Sequence, residues 1–159
     1  EVLASVVEDV KSFKMGSPVE FSNFINAVID ERAFDKIASF IDYAKEANDA
    51  EIIVGGTYDK SEGYFISPTV IKTTNPKFKT LCEEIFGPVM TVYVYPENEW
   101  EKRLKLVDYK PEYALHAAIF SGDRYPFNFP SKELENPAGN FNINDKANVA
   151  VVGKRPFGG

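Results

Sequence analysis

The stretch EEIFGPV, residues 83–89, places two carboxylates, an aromatic ring and a Gly-Pro pair directly before a run typical of a β-strand. Proline lacks a backbone N–H and fixes φ, so a Gly-Pro pair ends any helix and favours a turn. The sequence therefore predicts a stiff loop at the start of a strand, which presents the side chains of Glu84 and Phe86.

These two side chains are suited to contact with a nucleotide. A carboxylate accepts hydrogen bonds from sugar hydroxyls, and an aromatic ring covers a flat heterocycle. The same residues also fit an ordinary loop, in which Glu84 is solvated and Phe86 packs into the core. Composition does not decide between these two interpretations.

The composition indicates a globular protein and excludes several classes of partner. The 159 residues fit one domain, and 44% of them are hydrophobic. The net charge is −6 and no basic cluster is present, which argues against a nucleic-acid partner. No apolar run is long enough to predict a membrane span. The single cysteine excludes an intramolecular disulfide and a cysteine-rich zinc site, so no metal is expected.

The spacing of apolar residues predicts alternating helices and strands. We expect helices over residues 1–14, from Asp30 to about Asn48, and from Asn98 onward, with Asp30 as the N-cap of the second. Candidate strands are residues 51–54, 64–71, 89–95, 113–120, 141–144 and 149–152. This alternation predicts an α/β fold with a largely parallel sheet flanked by helices.

Several segments resemble the aldehyde dehydrogenase superfamily, in the order that the superfamily uses. They are Gly55-Gly56 with GYFISPTV at 63–70, EEIFGPV at 83–89, YAL and AIFS within 113–121, AGNFNINDK at 138–146 and VVGKRPFGG at 151–159. The Asn-Asp-Lys at 144–146, the doubled valine at 151–152 and FINAVID at 24–30 are similar to its 1-pyrroline-5-carboxylate dehydrogenase branch.

The resemblance implies an activity and a place in a larger enzyme. That branch oxidises glutamate γ-semialdehyde to glutamate with NAD, in proline catabolism, through a cysteine nucleophile and a glutamate base. Residues 1–159 would be the later part of the catalytic domain, without the nucleophile segment and the dinucleotide-binding domain. The sequence starts without Met inside a helical pattern, and we expect it to be an inactive piece of a longer chain.

The resemblance also implies roles for particular residues. Glu84 matches the acid that holds the nicotinamide ribose hydroxyls, and Phe86 matches the ring beside the nicotinamide. Phe157 matches an aromatic residue of the substrate site, and Val149-Ala150 matches the loop that holds the substrate carboxylate. No catalytic residue is expected in this piece. The implied partners are a small aldehyde and further copies of the parent chain, in the mitochondrial matrix or the bacterial cytoplasm.

Departures from the family pattern keep two alternatives open. Val149 stands where the family usually has glycine, and its branched side chain crowds a small anion pocket, which favours another ω-semialdehyde as substrate. The altered tail also fits a truncated, non-catalytic interaction module. Cys82 does not fall at the catalytic position of the family and is interpreted as structural, as is His116.

Overall fold

The structure, a computed structural model, describes residues 2–109, 115–122 and 138–146. The chain divides into two compact units, Glu1–Val94 and Tyr95–Gly159. Helices and strands are present in both units, so the predicted α/β class is confirmed.

The first unit contains the two helices that the apolar spacing predicts. Helix α1 spans Val2–Ser12 and helix α2 spans Glu31–Glu46. Asp30 is the N-cap of α2, since its carboxylate accepts a hydrogen bond of 2.7 Å from the Ala33 N–H. One face of α2 is buried, through Phe34, Ile37, Ala38, Phe40, Ile41 and Ala44.

A three-stranded sheet with the order β1-β4-β5 lies in the same unit. Its strands are β1 (Ala50–Val54), β4 (Thr69–Thr73) and β5 (Val89–Tyr93). Strand β4 pairs antiparallel with β1 and parallel with β5. A short antiparallel pair, β2 (Tyr58–Asp59) and β3 (Phe65–Ile66), precedes β4. The predicted strand 64–71 is thus divided at Pro68, which has no N–H to donate to a ladder.

Helix α2 and the strands bury the core of the first unit. Ile37, Ile41, Ile66 and Ile71 have no exposed surface. Phe78, just before the short helix α3 (Lys79–Cys82), is equally buried and packs in a cluster with Ala44 and Ile71. This core is the platform on which the segment 83–88 rests.

The second unit begins with a 3₁₀ turn at Glu97–Glu99, followed by helix α4 (Trp100–Tyr109). The 3₁₀ turn starts after Pro96, so the helix does not begin from a cap at Asn98. Strands β6 (His116–Ile119) and β7 (Asn140–Ile143) pair in parallel.

Within the described ranges, two strand pairs are parallel and two are antiparallel. The parallel arrangement that we predicted therefore holds for β4–β5 and β6–β7, whereas the pairs β1–β4 and β2–β3 run antiparallel. The candidate strand 149–152 lies outside the described residues. No helix in the described part of the chain is long and apolar enough to cross a membrane.

Candidate functional site

The segment 83–88 forms a bend between α3 and β5 whose backbone is hydrogen-bonded at both ends. At its start, the Glu83 N–H donates to the Lys79 carbonyl over 3.0 Å. At its end, the Pro88 carbonyl accepts from the Thr69 N–H of β4 over 2.9 Å. The bend is thereby held against the central strand of the sheet. The Gly-Pro pair predicts the turn at the start of a strand, but not this contact with β4.

Residues of helix α2 hold the middle of the bend in place. Ile85 is 9% exposed and belongs to the core cluster that contains Phe34 and Ile37. The Lys36 ammonium donates a hydrogen bond of 2.6 Å to the Glu84 carbonyl. A Cβ on Gly87 would lie 2.5 Å from Cδ1 of Ile37, so the close approach of the two segments requires glycine.

Phe86 projects away from this core. Its side chain is 83% exposed, so the alternative in which it packs into the core is wrong. Its φ of 62° lies in the left-handed region, which bulky residues adopt rarely. A conformation of this kind costs about 1–3 kcal/mol and is found preferentially at functional sites. The exposed ring and the strained backbone together make Phe86 a candidate ligand contact.

Glu84 is exposed on the other side of the buried Ile85. Within the described residues the Glu84 carboxylate takes part in no salt bridge and no side-chain hydrogen bond. Lys36 binds the backbone carbonyl of Glu84 and not its carboxylate. The carboxylate is therefore available to accept hydrogen bonds from a ligand. Glu84 and Phe86 thus both point outward, one on each side of the buried Ile85.

The structure places Glu84 and Phe86 together on the bend, and their predicted roles in cofactor binding stay predictions, as do those of the other site residues. Val149, Ala150 and Phe157 lie outside the described residues. Within the described part of the chain, the side chains of Glu84 and Phe86 are both exposed on the surface of the bend. Cys82 is half-buried at the end of α3, and the described residues contain no cluster of three or more metal-binding side chains.

Two contributors to the bend were missed in the sequence. Lys36 lies 48 positions before Glu84, and nothing local to either residue indicates that they meet. Gly87 predicts a turn, but its contact with Ile37 depends on how α2 packs. The Gly-Pro pair is the one local signal that could have suggested a close approach at this position.

Comparison with known proteins identifies relatives along the whole chain. Residues 1–159 match the family profile described as "Aldehyde dehydrogenase family". The chain is 51% identical over 154 residues to the mitochondrial delta-1-pyrroline-5-carboxylate dehydrogenase of Dictyostelium discoideum, covering 97% of this chain and 28% of that protein.

Solved structures give the same picture. The delta-pyrroline-5-carboxylate dehydrogenase of Mycobacterium tuberculosis bound with NAD is 39% identical, with a TM-score of 0.87 over 98% of this chain and 28% of the other. The 1-pyrroline-5-carboxylate dehydrogenase from Thermus with bound NAD is 30% identical, with a TM-score of 0.84 over 99% of this chain and 29% of the other. The chain thus spans less than a third of the length of these relatives.

Proposed function

The chain belongs to the aldehyde dehydrogenase family, and from that premise we propose that it forms part of an NAD-dependent enzyme that oxidises glutamate γ-semialdehyde. This aldehyde is the open form of 1-pyrroline-5-carboxylate, and the product is glutamate. The names of the relatives support this substrate, and the NAD-bound relatives support the cofactor.

The observation that carries the proposal is the outward pair, Glu84 and Phe86, on the bend. Glu84 would accept hydrogen bonds from the ribose hydroxyls next to the nicotinamide, and the ring of Phe86 would cover the nicotinamide itself. NAD supplies the hydride acceptor when it is bound. The part of this chain is to orient that acceptor, because its contacts rest on a bend fixed by Ile85, Lys36 and Gly87.

The 159 residues would be the later part of a catalytic domain. We propose that the nucleophile, the general base and the dinucleotide-binding domain belong to parts of the parent protein that this stretch does not include. Val149, Ala150 and Phe157 would contribute to the wall around the substrate. The piece alone would be inactive, and the parent would be a homo-oligomer in the mitochondrial matrix or a bacterial cytoplasm, the compartments that the relatives indicate.

A chimera tests the proposal directly. This chain replaces the matching 154 residues of the Dictyostelium relative, and NAD reduction is measured with 1-pyrroline-5-carboxylate and with succinate semialdehyde. We expect turnover of the first substrate at a higher kcat/KM than the second. A folded chimera that prefers succinate semialdehyde contradicts the proposed substrate. A folded chimera without any dehydrogenase activity contradicts the enzymatic role. Aldehyde turnover by the 159 residues alone contradicts the assignment of this chain as an inactive part of a larger enzyme.

A further inference from the structure

The second unit contains an aromatic cleft at the start of α4. Tyr95, Glu97, Trp100, Phe120 and Ser121 line a cavity of about 410 Å³. Pro96 starts the 3₁₀ turn, which places Trp100 as the first residue of α4. Phe120 follows directly after β6. The cavity falls within the range that small-molecule sites occupy.

Among the described residues that line this cleft, three of five are aromatic. The rings of Tyr95 and Trp100 are nearly parallel, with their centroids 6.4 Å apart and an interplanar angle of 21°. Phe120 is 69% exposed, which is unusual for a side chain of its size and leaves its ring open to a ligand. The face of an aromatic ring carries negative charge density and attracts cations.

The cleft also contains a carboxylate, so its charge is negative like the charge density on the faces of its rings. Glu97 lines the cavity and takes part in no salt bridge among the described residues, whereas its neighbour Glu99 is paired with Arg103. The guanidinium of Arg103, the single arginine in α4, is therefore already bound to another carboxylate. An acid without a cationic partner beside three rings favours a positively charged ligand over a neutral aromatic one.

We propose that the cleft formed by Tyr95, Trp100, Phe120 and Glu97 binds a small organic cation of the quaternary ammonium class. Such a cation has no N–H groups, so it needs ring faces and one carboxylate rather than several hydrogen-bond acceptors. The size of the cavity suits a free small molecule. The site uses none of the residues assigned above to NAD or to the aldehyde.

Trp100 is the only tryptophan of the chain, so its fluorescence reports on this cleft alone. Choline and tetramethylammonium are titrated into the 159-residue protein, with sodium chloride as the ionic-strength control. The neutral carbon analogue of choline, 3,3-dimethylbutan-1-ol, tests the role of the charge. We expect a saturable change in Trp100 emission with both cations, and at least a fivefold weaker response to the neutral analogue.

Two variants locate the binding. Glu97→Gln should raise the Kd for choline at least fivefold. Glu101→Gln, which changes an exposed acid on the adjoining helix α4 and not among the described lining residues of the cavity, should leave the Kd unchanged. Far-UV circular dichroism and melting temperature verify that both variants fold, and Phe120→Ala serves as a second probe if Glu97→Gln does not. The proposal would be overturned by the absence of a saturable response to choline, by equal binding of the neutral analogue, or by equal effects of both Glu variants.

Discussion

The core that α2 buries and the bend at residues 83–88 differ in what their side chains contact, although the two regions share Ile85. Ile37 and Ile41 have no exposed surface, whereas Phe86 is 83% exposed. Ile85 belongs to the core, and its two neighbours point outward. The core fixes the backbone of the bend, while the outward side chains contribute little to packing. We therefore expect core substitutions to change stability, and outward substitutions to change ligand binding.

The largest expected effect is in the core. Ile37→Ala should reduce the free energy of unfolding by about 2–5 kcal/mol, because it removes buried methyl groups and leaves a cavity. Urea unfolding followed by circular dichroism measures the change. Ser39→Ala, on the exposed face of the same helix, is the matched control and should stay within about 0.5 kcal/mol. A loss below about 1 kcal/mol for Ile37→Ala would mean that the core is not packed as described.

The next effect tests the contact between core and bend. Gly87→Ala should destabilise the protein by about 1–3 kcal/mol, because the new Cβ would meet Ile37 at 2.5 Å in a packed core. Gly122→Ala is the control, since a Cβ there meets nothing within 4 Å. Ile37→Val removes the clashing Cδ1 atom and should recover part of the loss in the double variant. Additive effects of the two changes would exclude the contact.

Backbone strain at Phe86 predicts a smaller effect with a defined order. Asparagine tolerates the left-handed region well and a β-branched residue tolerates it poorly. Phe86→Asn should therefore gain about 0.5–1 kcal/mol of stability and Phe86→Val should lose a similar amount. Thermal unfolding of the three proteins side by side gives the order, and a Val variant as stable as the Asn variant would show that the residue is not strained.

The smallest effect depends on pH. The Tyr58 hydroxyl donates a hydrogen bond of 2.6 Å to Asp42, which lowers the pKa of Asp42 from its ordinary value and raises the pKa of Tyr58 from its ordinary value. Because the pKa of Asp42 is lowered, its carboxylate stabilises the fold at pH values above the ordinary pKa of aspartate. This contribution is lost as the pH falls through the pKa of the folded protein. Because the pKa of Tyr58 is raised, its protonated hydroxyl stabilises the fold at pH values below about 10. This contribution is lost as the pH rises through the pKa of the folded protein.

Tyr58→Phe should therefore lower the melting temperature between about pH 4 and 10, and less so at pH 2–3. Since Asp42 is about half exposed, solvent screening keeps the loss below about 1 kcal/mol. Tyr64→Phe is the control, because the Tyr64 hydroxyl has no hydrogen bond within the described residues, and its difference from the wild type should not depend on pH in this range. Parallel pH profiles for the two variants would contradict the role of the Asp42 bond.

The elements could be predicted wherever local pattern and burial agree. The apolar stripe of α2 predicts its buried residues, and Asp30 predicts its first turn. The stripe of α1 predicts a helix, but no residue of α1 is fully buried in the structure. A helical pattern shows which face tends to be covered, whereas the covering surface comes from residues distant in sequence.

The site could be predicted only in part, for the same reason. The Gly-Pro pair predicts that Glu84 and Phe86 lie on a stiff bend. The left-handed φ of Phe86 has no sequence signature, because a bulky residue is the last that propensity would place there. The hydrogen bond from Lys36 joins residues far apart in the chain, and only the packed fold brings them together.

The most direct test of the outward pair is the binding of NAD to the chimera with the Dictyostelium relative, comparing Glu84→Gln with Glu83→Gln. Glu84→Gln should raise the Kd for NAD about 10- to 100-fold, which corresponds to one lost charge-assisted hydrogen bond, and leave the affinity for ADP unchanged because ADP lacks the nicotinamide ribose. Glu83→Gln should leave both affinities unchanged. An unchanged Kd for NAD in the folded Glu84→Gln chimera, or an equal loss with Glu83→Gln, would contradict the claim that the bend holds the nicotinamide end of the cofactor.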